Sequence, residues 1–253
     1  MRLRVATRHL AVACCAWVAL AASHVSAAES RVVVELFTSQ GCSSCPAADK
    51  LLSELAKDTA ILPISLSVDY WDYLGWKDTL ALPSHAKRQR AYARARGDRA
   101  VYTPQVVING GTHVLGNDKL ALERAVKTAR SNAASALPVN VVIADGKITV
   151  DVGAAELSGQ AGEVWICPVK QKVPVQISRG ENKGHMVTYT NVVRGWIKLG
   201  EWKGGAQKFT KSLSDIIKND SDADAVAVIV QGGKFETPGT IFGGASIALN
   251  SAH

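Results

Sequence analysis

The chain has only one Cys-x-x-Cys and no second, suitably spaced pair of metal ligands. That disfavours a four-ligand structural zinc site. After residue 27 no apolar run approaches the roughly 18 residues that a membrane-spanning helix needs. Internal repeats and low-complexity tracts are absent as well, so neither a repeat array nor a disordered linker protein is indicated.

Met1 to Ala27 has the anatomy of a secretory leader: Arg2, Arg4 and Arg8 in front, an apolar stretch from Leu10 to Ala22, and Val25-Ser26-Ala27 as a small-residue cleavage site. An alternative, lipid attachment at Ala11-Val12-Ala13-Cys14, has a poor first residue and too short an apolar run before it. The expected product is therefore exported, periplasmic or secreted. Cleavage takes the three arginines, leaving 26 basic against 22 acidic residues, so the net charge falls from +7 to +4. Export, so small a charge and the lack of stacking aromatics among the basic residues together disfavour a nucleic-acid partner. Cleavage also takes Cys14 and Cys15, leaving Cys42, Cys45 and Cys167 in a compartment where disulfides persist.

Arg31 to Phe37 is an apolar, β-branched run. It is followed by the turn Gly41-Cys42-Ser43-Ser44-Cys45-Pro46 and by Ala48, Leu51, Leu52 and Leu55 at helical spacing. Ile61–Val68 and Tyr102–Asn109 read as further strands, the latter ending in the hairpin signal Asn109-Gly110-Gly111. His113–Leu115 returns, and Asn117-Asp118 starts a helix with Leu122, Ala125, Val126 and Ala129 on its inner face. Leu80 to Arg96 reads as a helical insert, placed within about 69–99, and its Lys87, Arg88, Arg90, Arg94 and Arg96 are expected to form a solvated face or, where they flank the cysteines, to stabilise a thiolate and steer acidic partners. Beyond Ala136 the texture changes to short extended segments: Val139–Ile143, Lys147–Val152, Val164–Lys170, Val173–Ser178, His185–Leu199, Gln207–Leu213, Ala225–Gln231 and Thr240–Leu249. They suggest a β sandwich, with a boundary at Ala133 to Pro138.

Two thiols one helical turn apart at a strand-to-helix turn can close and open a disulfide. A loop so short constrains little of the unfolded chain, so a redox pair is the better reading than a structural staple. A cysteine at a helix N-terminus gains the positive end of the helix dipole and free N–H donors. Such placement lowers a thiol pKa from about 8.5 to somewhere between roughly 3.5 and 7.5, which makes Cys42 the expected nucleophile and Cys45 the resolving thiol. Thr103-Pro104 opens a later strand, where the missing N–H is tolerated and a cis bond costs only about 0.5 to 1 kcal/mol.

Taken in order, the Cys-x-x-Cys turn, the Thr-Pro strand, the Gly-containing hairpin and the final helix resemble the thioredoxin fold. The stretches Glu35 to Pro46, Val68 to Trp76, Gln89 to Ala93, Gly180 to Gly184 and Asn191 to Arg194 are similar to the secreted, thioredoxin-like domain-of-unknown-function family 1223. The resemblance implies an α/β thioredoxin-like domain over 30–135 and leaves 136–253 as an all-β, sandwich-like domain. It also implies a cis Pro104 beside the cysteines, with the backbone of Thr103 engaging a bound partner. Ordinary thioredoxins carry Gly-Pro where this chain has Ser43-Ser44, have a tryptophan before the first cysteine, and lack the insert.

Glu35 lies seven residues before Cys42, one more than the buried acid of thioredoxins. It is expected either to relay the proton of Cys45 or to pair with a lysine or a backbone group. Asp69, Tyr70, Trp71 and Asp72 follow the second strand, where they would wall a substrate groove or simply pack. Glu181, Asn182 and Arg194 read as turn chemistry, or as binding groups if they face the cysteines. Cys167 reads as a buried small hydrophobe. The expected activity is thiol-disulfide exchange on a protein or a small disulfide, with no cofactor. The rivals are a cell-envelope binding module with a static Cys42–Cys45 clip, and a copper or zinc carrier using the pair with His85, His113 or His185.

Overall fold

The computed structural model describes residues 31–131, 137–155, 161–217 and 222–249. The expected leader, Met1 to Ala27, and most of the expected boundary at Ala133 to Pro138 lie outside the described residues.

The first strand, β1 (Val32–Thr38), is buried along its whole length. Its alternating side chains serve two cores: Val32, Val34 and Leu36 face α1 (Cys45–Leu55), while Val33 and Phe37 face the opposite side. Pro46 in the first turn of α1 is tolerated because the N–H it lacks has no partner in a helix start. Parallel to β1 runs β2 (Ile61–Ser67). A 3₁₀ turn at Asp72–Leu74 and α2 (Pro83–Arg96) form the insert. β3 (Gln105–Ile108) returns antiparallel to β1 and turns through Asn109-Gly110 into β4 (Thr112–Leu115), and α3 (Lys119–Ser131) closes the first half. α1 and α3 cover one face through Ala48, Leu52, Leu122 and Val126. α2 covers the other with Ala86 and Tyr92.

The second half comprises β5 (Val139–Ala144), β6 (Lys147–Val152), β7 (Gly162–Gln176), β8 (Met186–Val193), β9 (Ile197–Trp202), β10 (Gln207–Ser212), the short α4 (Leu213–Ile217), β11 (Ala225–Lys234) and β12 (Thr237–Ala248). β10, β6 and β5 make a three-stranded sheet. It packs through Val139, Ile148 and Val150 against Val164, Ile166, Trp202, Val226 and Val228 of the larger sheet. The large sheet runs β12-β11-β7-β8-β2-β1-β3-β4, with β9 beside β7. Strands of both halves thus share one nine-stranded mixed sheet, joined where Ser65 of β2 meets Val192 of β8.

Three segment readings need correction. Val164–Lys170 and Val173–Ser178 form one strand, β7, because its two ends have different partners: β11 and β9 at the start, β8 later. His185–Leu199 is instead divided into β8 and β9 across Arg194-Gly195-Trp196. The basic insert is not solvated throughout, since Arg88 is fully buried while Lys87, Arg90 and Arg94 are exposed.

Candidate active site

Cys42 and Cys45 are joined in a disulfide, Cα atoms 5.4 Å apart, at the turn from β1 into α1. Cys45 is wholly buried and Cys42 only 3 % exposed, whereas Ser43 and Ser44 stand in solvent. The Ser44 hydroxyl lies 3.5 Å from Cys42 Sγ. Fewer N–H donors are free here than a bare helix start offers. The Cys45 N–H goes to the Cys42 carbonyl at 3.1 Å, the Ser43 N–H donates to Glu181 Oε2 at 3.3 Å, and Pro46 has none.

The Thr103-Pro104 bond is cis, as the Thr-Pro resemblance implies. Trp71 connects this bond to the cysteine turn. Its indole Nε1 donates to Thr103 Oγ1 at 2.7 Å, and its Cβ lies so close to Gly41 that a side chain there would begin 3.1 Å away. Tyr70 donates to Gln89 at 3.0 Å, and Asp69 enters through its backbone carbonyl, which takes the Asp72 N–H. The segment after β2 thus packs and braces, with Trp71 against Gly41 and the Trp76 indole donating to Gln40 Oε1 at 2.8 Å.

Glu35 sits on the face of β1 opposite α1, away from the helix that carries Cys45. Its carboxylate accepts from Arg88 Nε at 2.7 Å and from the Tyr92 hydroxyl at 2.5 Å, all three side chains being buried. Arg88 also donates to Gln231 of β11 at 2.8 Å and lies over the rings of Trp196, Tyr92 and Phe235. Burial opposes the Arg88 charge, but the Glu35 carboxylate holds its pKa above the ordinary value. Pairing is thus the observed state of Glu35, with an arginine rather than a lysine. Cys167 is buried in the same core, and burial pushes its thiol far up, as expected of an inert small hydrophobe.

The buried acid on the cysteine side is Asp49. It stands four residues after Cys45, one turn along the same inner stripe of α1, and is 2 % exposed. Thr38 Oγ1 donates to its Oδ2 at 3.1 Å, while Oδ1 meets no protein partner. Burial raises its pKa to about 8, against the Thr38 hydrogen bond. The signal for it was in the sequence: an acid at a position where the helical repeat faces the core. Asp78, by contrast, had no local signal. It is also buried, its pKa raised to about 6 by desolvation, and it accepts from the Gln40 and Leu80 backbones at 2.8 Å each.

From the second half, Asn182 reaches the same turn. Its Nδ2 donates to both the Gln40 and the Cys42 carbonyls at 2.9 Å. Glu181 and Asn182 therefore face the cysteines, whereas Arg194 pairs with Asp222 at 3.5 Å. Among the described residues no group of three or more His, Cys, Asp or Glu is placed to hold a metal ion. His85 is buried and bonded to the Ser67 carbonyl, and burial pushes its pKa down to about 4.

Fold and site together define a mixed α/β protein with a Cys-x-x-Cys disulfide at a strand-to-helix turn, braced from a second, β-rich half. The chain belongs to the family described as protein of unknown function (DUF1223), which it matches over residues 33–231. It is similar to the crystallised protein AGR_C_4864 from Agrobacterium tumefaciens, with 30 % identity over 88 % of this chain and 96 % of that one, at a TM-score of 0.76. A likeness of fold alone extends to HBP35 of Porphyromonas gingivalis, with 13 % identity over 89 % of this chain and 77 % of that one, at a TM-score of 0.60. No curated protein matches the chain. Among the described residues no helix is long and apolar enough to cross a membrane.

Proposed function

We propose that this is an exported thiol-disulfide exchange protein of thioredoxin-like build, acting on protein or small-molecule disulfides without a cofactor. The observation that carries the reading is the Cys42–Cys45 disulfide at the start of α1, linked by Trp71 to the cis Thr103-Pro104 bond. In the reduced protein the Cys42 thiolate attacks one sulfur of a partner disulfide. The Cys42–partner bond forms, the partner's S–S bond breaks, and the departing thiolate takes a proton. Cys45 then gives up its proton, which Asp49 takes in the molecules where it is ionised, a minority below about pH 8, and attacks the Cys42 sulfur, closing the disulfide and releasing the second partner thiol. Two electrons pass to the partner, and the reverse sequence oxidises a dithiol. Thr103 supports the bound partner strand.

One observation favours a different reading. Cys42 is only 3 % exposed, which suits a static clip in an envelope binding module. Replacing Cys45 by Ser separates the two. On incubation with glutathione disulfide, the exchange reading expects the Cys45→Ser protein to accumulate a one-to-one mixed disulfide at Cys42, readable by intact mass. The clip reading expects no adduct, and that result would sink the exchange reading.

A further inference from the structure

The β-rich half holds the cysteine turn at two adjacent residues. Asn182 is 2 % exposed and bonds the carbonyls on either side of Gly41, while the exposed Glu181 sets its carboxylate on the Ser43 N–H, next to Cys42. Gly180 and Gly184, at φ of 76° and 87°, bend the chain at both ends of this segment. We propose that the Gly180–Gly184 loop caps the reactive turn and that Glu181 is a positioning residue biasing the Cys42–Cys45 couple toward its disulfide. The inference rests on the exchange reading above and gives the second half a part in it.

The Cys42 thiolate is the species that Glu181 disfavours. An N–H of the Cys turn that would otherwise be free to solvate that anion is directed to a carboxylate, and the carboxylate adds like charge beside it. Both effects disfavour the reduced, ionised state relative to the disulfide, whose sulfurs carry no charge. Other ionisable groups lie on the segments that meet the turn. Asp49 lies on α1, Asp72 and Asp78 follow β2, and Arg179 and Lys183 flank Glu181. Among the described residues, Glu181 is the one of these side chains bonded to the backbone of the Cys42–Cys45 segment itself, while Asp78 bonds the Gln40 backbone just before it.

The test uses the full mature chain, equilibrated in glutathione buffers of varied thiol-to-disulfide ratio. Each turnover consumes two glutathione thiols, yields one glutathione disulfide and leaves both protein cysteines reduced. Glu181→Gln keeps the shape and removes the charge. It is expected to raise the reduced-to-oxidised ratio at fixed buffer about two- to fivefold, the range for an exposed charge contact. The gain should shrink toward unity near 1 M salt, because an exposed charge is screened there. An unchanged ratio, or a gain that salt leaves intact, would overturn the role given to Glu181 while leaving exchange itself standing. If glutathione reduces neither protein, the exchange reading falls, and this inference with it. The cap has its own readout in a Cys45→Ser background, where Asn182→Ala should speed alkylation of Cys42 by iodoacetamide several-fold. An unaltered rate in a folded variant would remove the cap.

Discussion

Glu35→Ala is expected to lower stability by about 3–5 kcal/mol, measured as a fall in the urea midpoint at constant slope. The cause is the cation it leaves behind rather than the contact it deletes. Arg88 is inaccessible to solvent, and its Nη1 already lacks a partner. Without the carboxylate it retains the Tyr92 hydroxyl, the Gln231 carbonyl oxygen and the ring faces of Trp196 and Phe235, none of which carries a compensating charge. Replacing both partners, Glu35→Leu with Arg88→Met, should cost much less, since an apolar pair of similar volume needs no ion solvation. A single-variant loss below about 1 kcal/mol would show that water reaches Arg88 after all. The network ties β1, α2 and β11 together, so its loss should loosen the two halves as one unit.

Asp49→Asn is expected to stabilise the protein increasingly as pH rises. In the folded state burial holds the Asp49 pKa at about 8, whereas the unfolded value is 3.8. Between these values the folded protein binds one proton more than the unfolded chain, so wild-type stability falls with rising pH. Asparagine mimics the protonated acid and has nothing to titrate. The variant and wild type should therefore be similar near pH 4 and diverge by as much as roughly 5 kcal/mol near pH 8, about 1.36 kcal/mol per unit. Asp78, raised to about 6, contributes with the same sign up to that pH, and the depressed His85, at about 4 rather than 6.5, opposes it up to pH 6.5. Both are common to the two proteins and largely cancel in the comparison. A pH-independent difference in denaturant midpoint would mean that Asp49 is ionised in its site.

Much of the fold near the cysteines was legible because local and global signals agree there. β1 and β2 are buried on both faces and read as continuous apolar runs, and the Cys turn and Thr-Pro strand carry their own chemistry. What was not legible depended on pairing at long range. The single β2–β8 contact that makes one sheet of two halves leaves no mark in either segment. Arg88 looked solvated among Lys87, Arg90 and Arg94, but a helix has two faces, and Arg88, Ala91 and Tyr92 share the inner one. Glu35 attracted attention by its distance in sequence from Cys42, while strand alternation places it on the far side of the sheet. Asp49, on the helix that carries Cys45, is a buried acid that the cysteine side does hold.

Equilibration of the chain from Ala28 onward with glutathione, with Cys42 and Cys45 counted as free thiols by alkylation and mass, tests the central claim most directly. Exchange predicts a reversible two-electron transition at a potential within the range of exchange couples, roughly −120 to −270 mV. A disulfide that stays closed below about −300 mV, in the range of structural disulfides, would contradict it and make the pair a static clip.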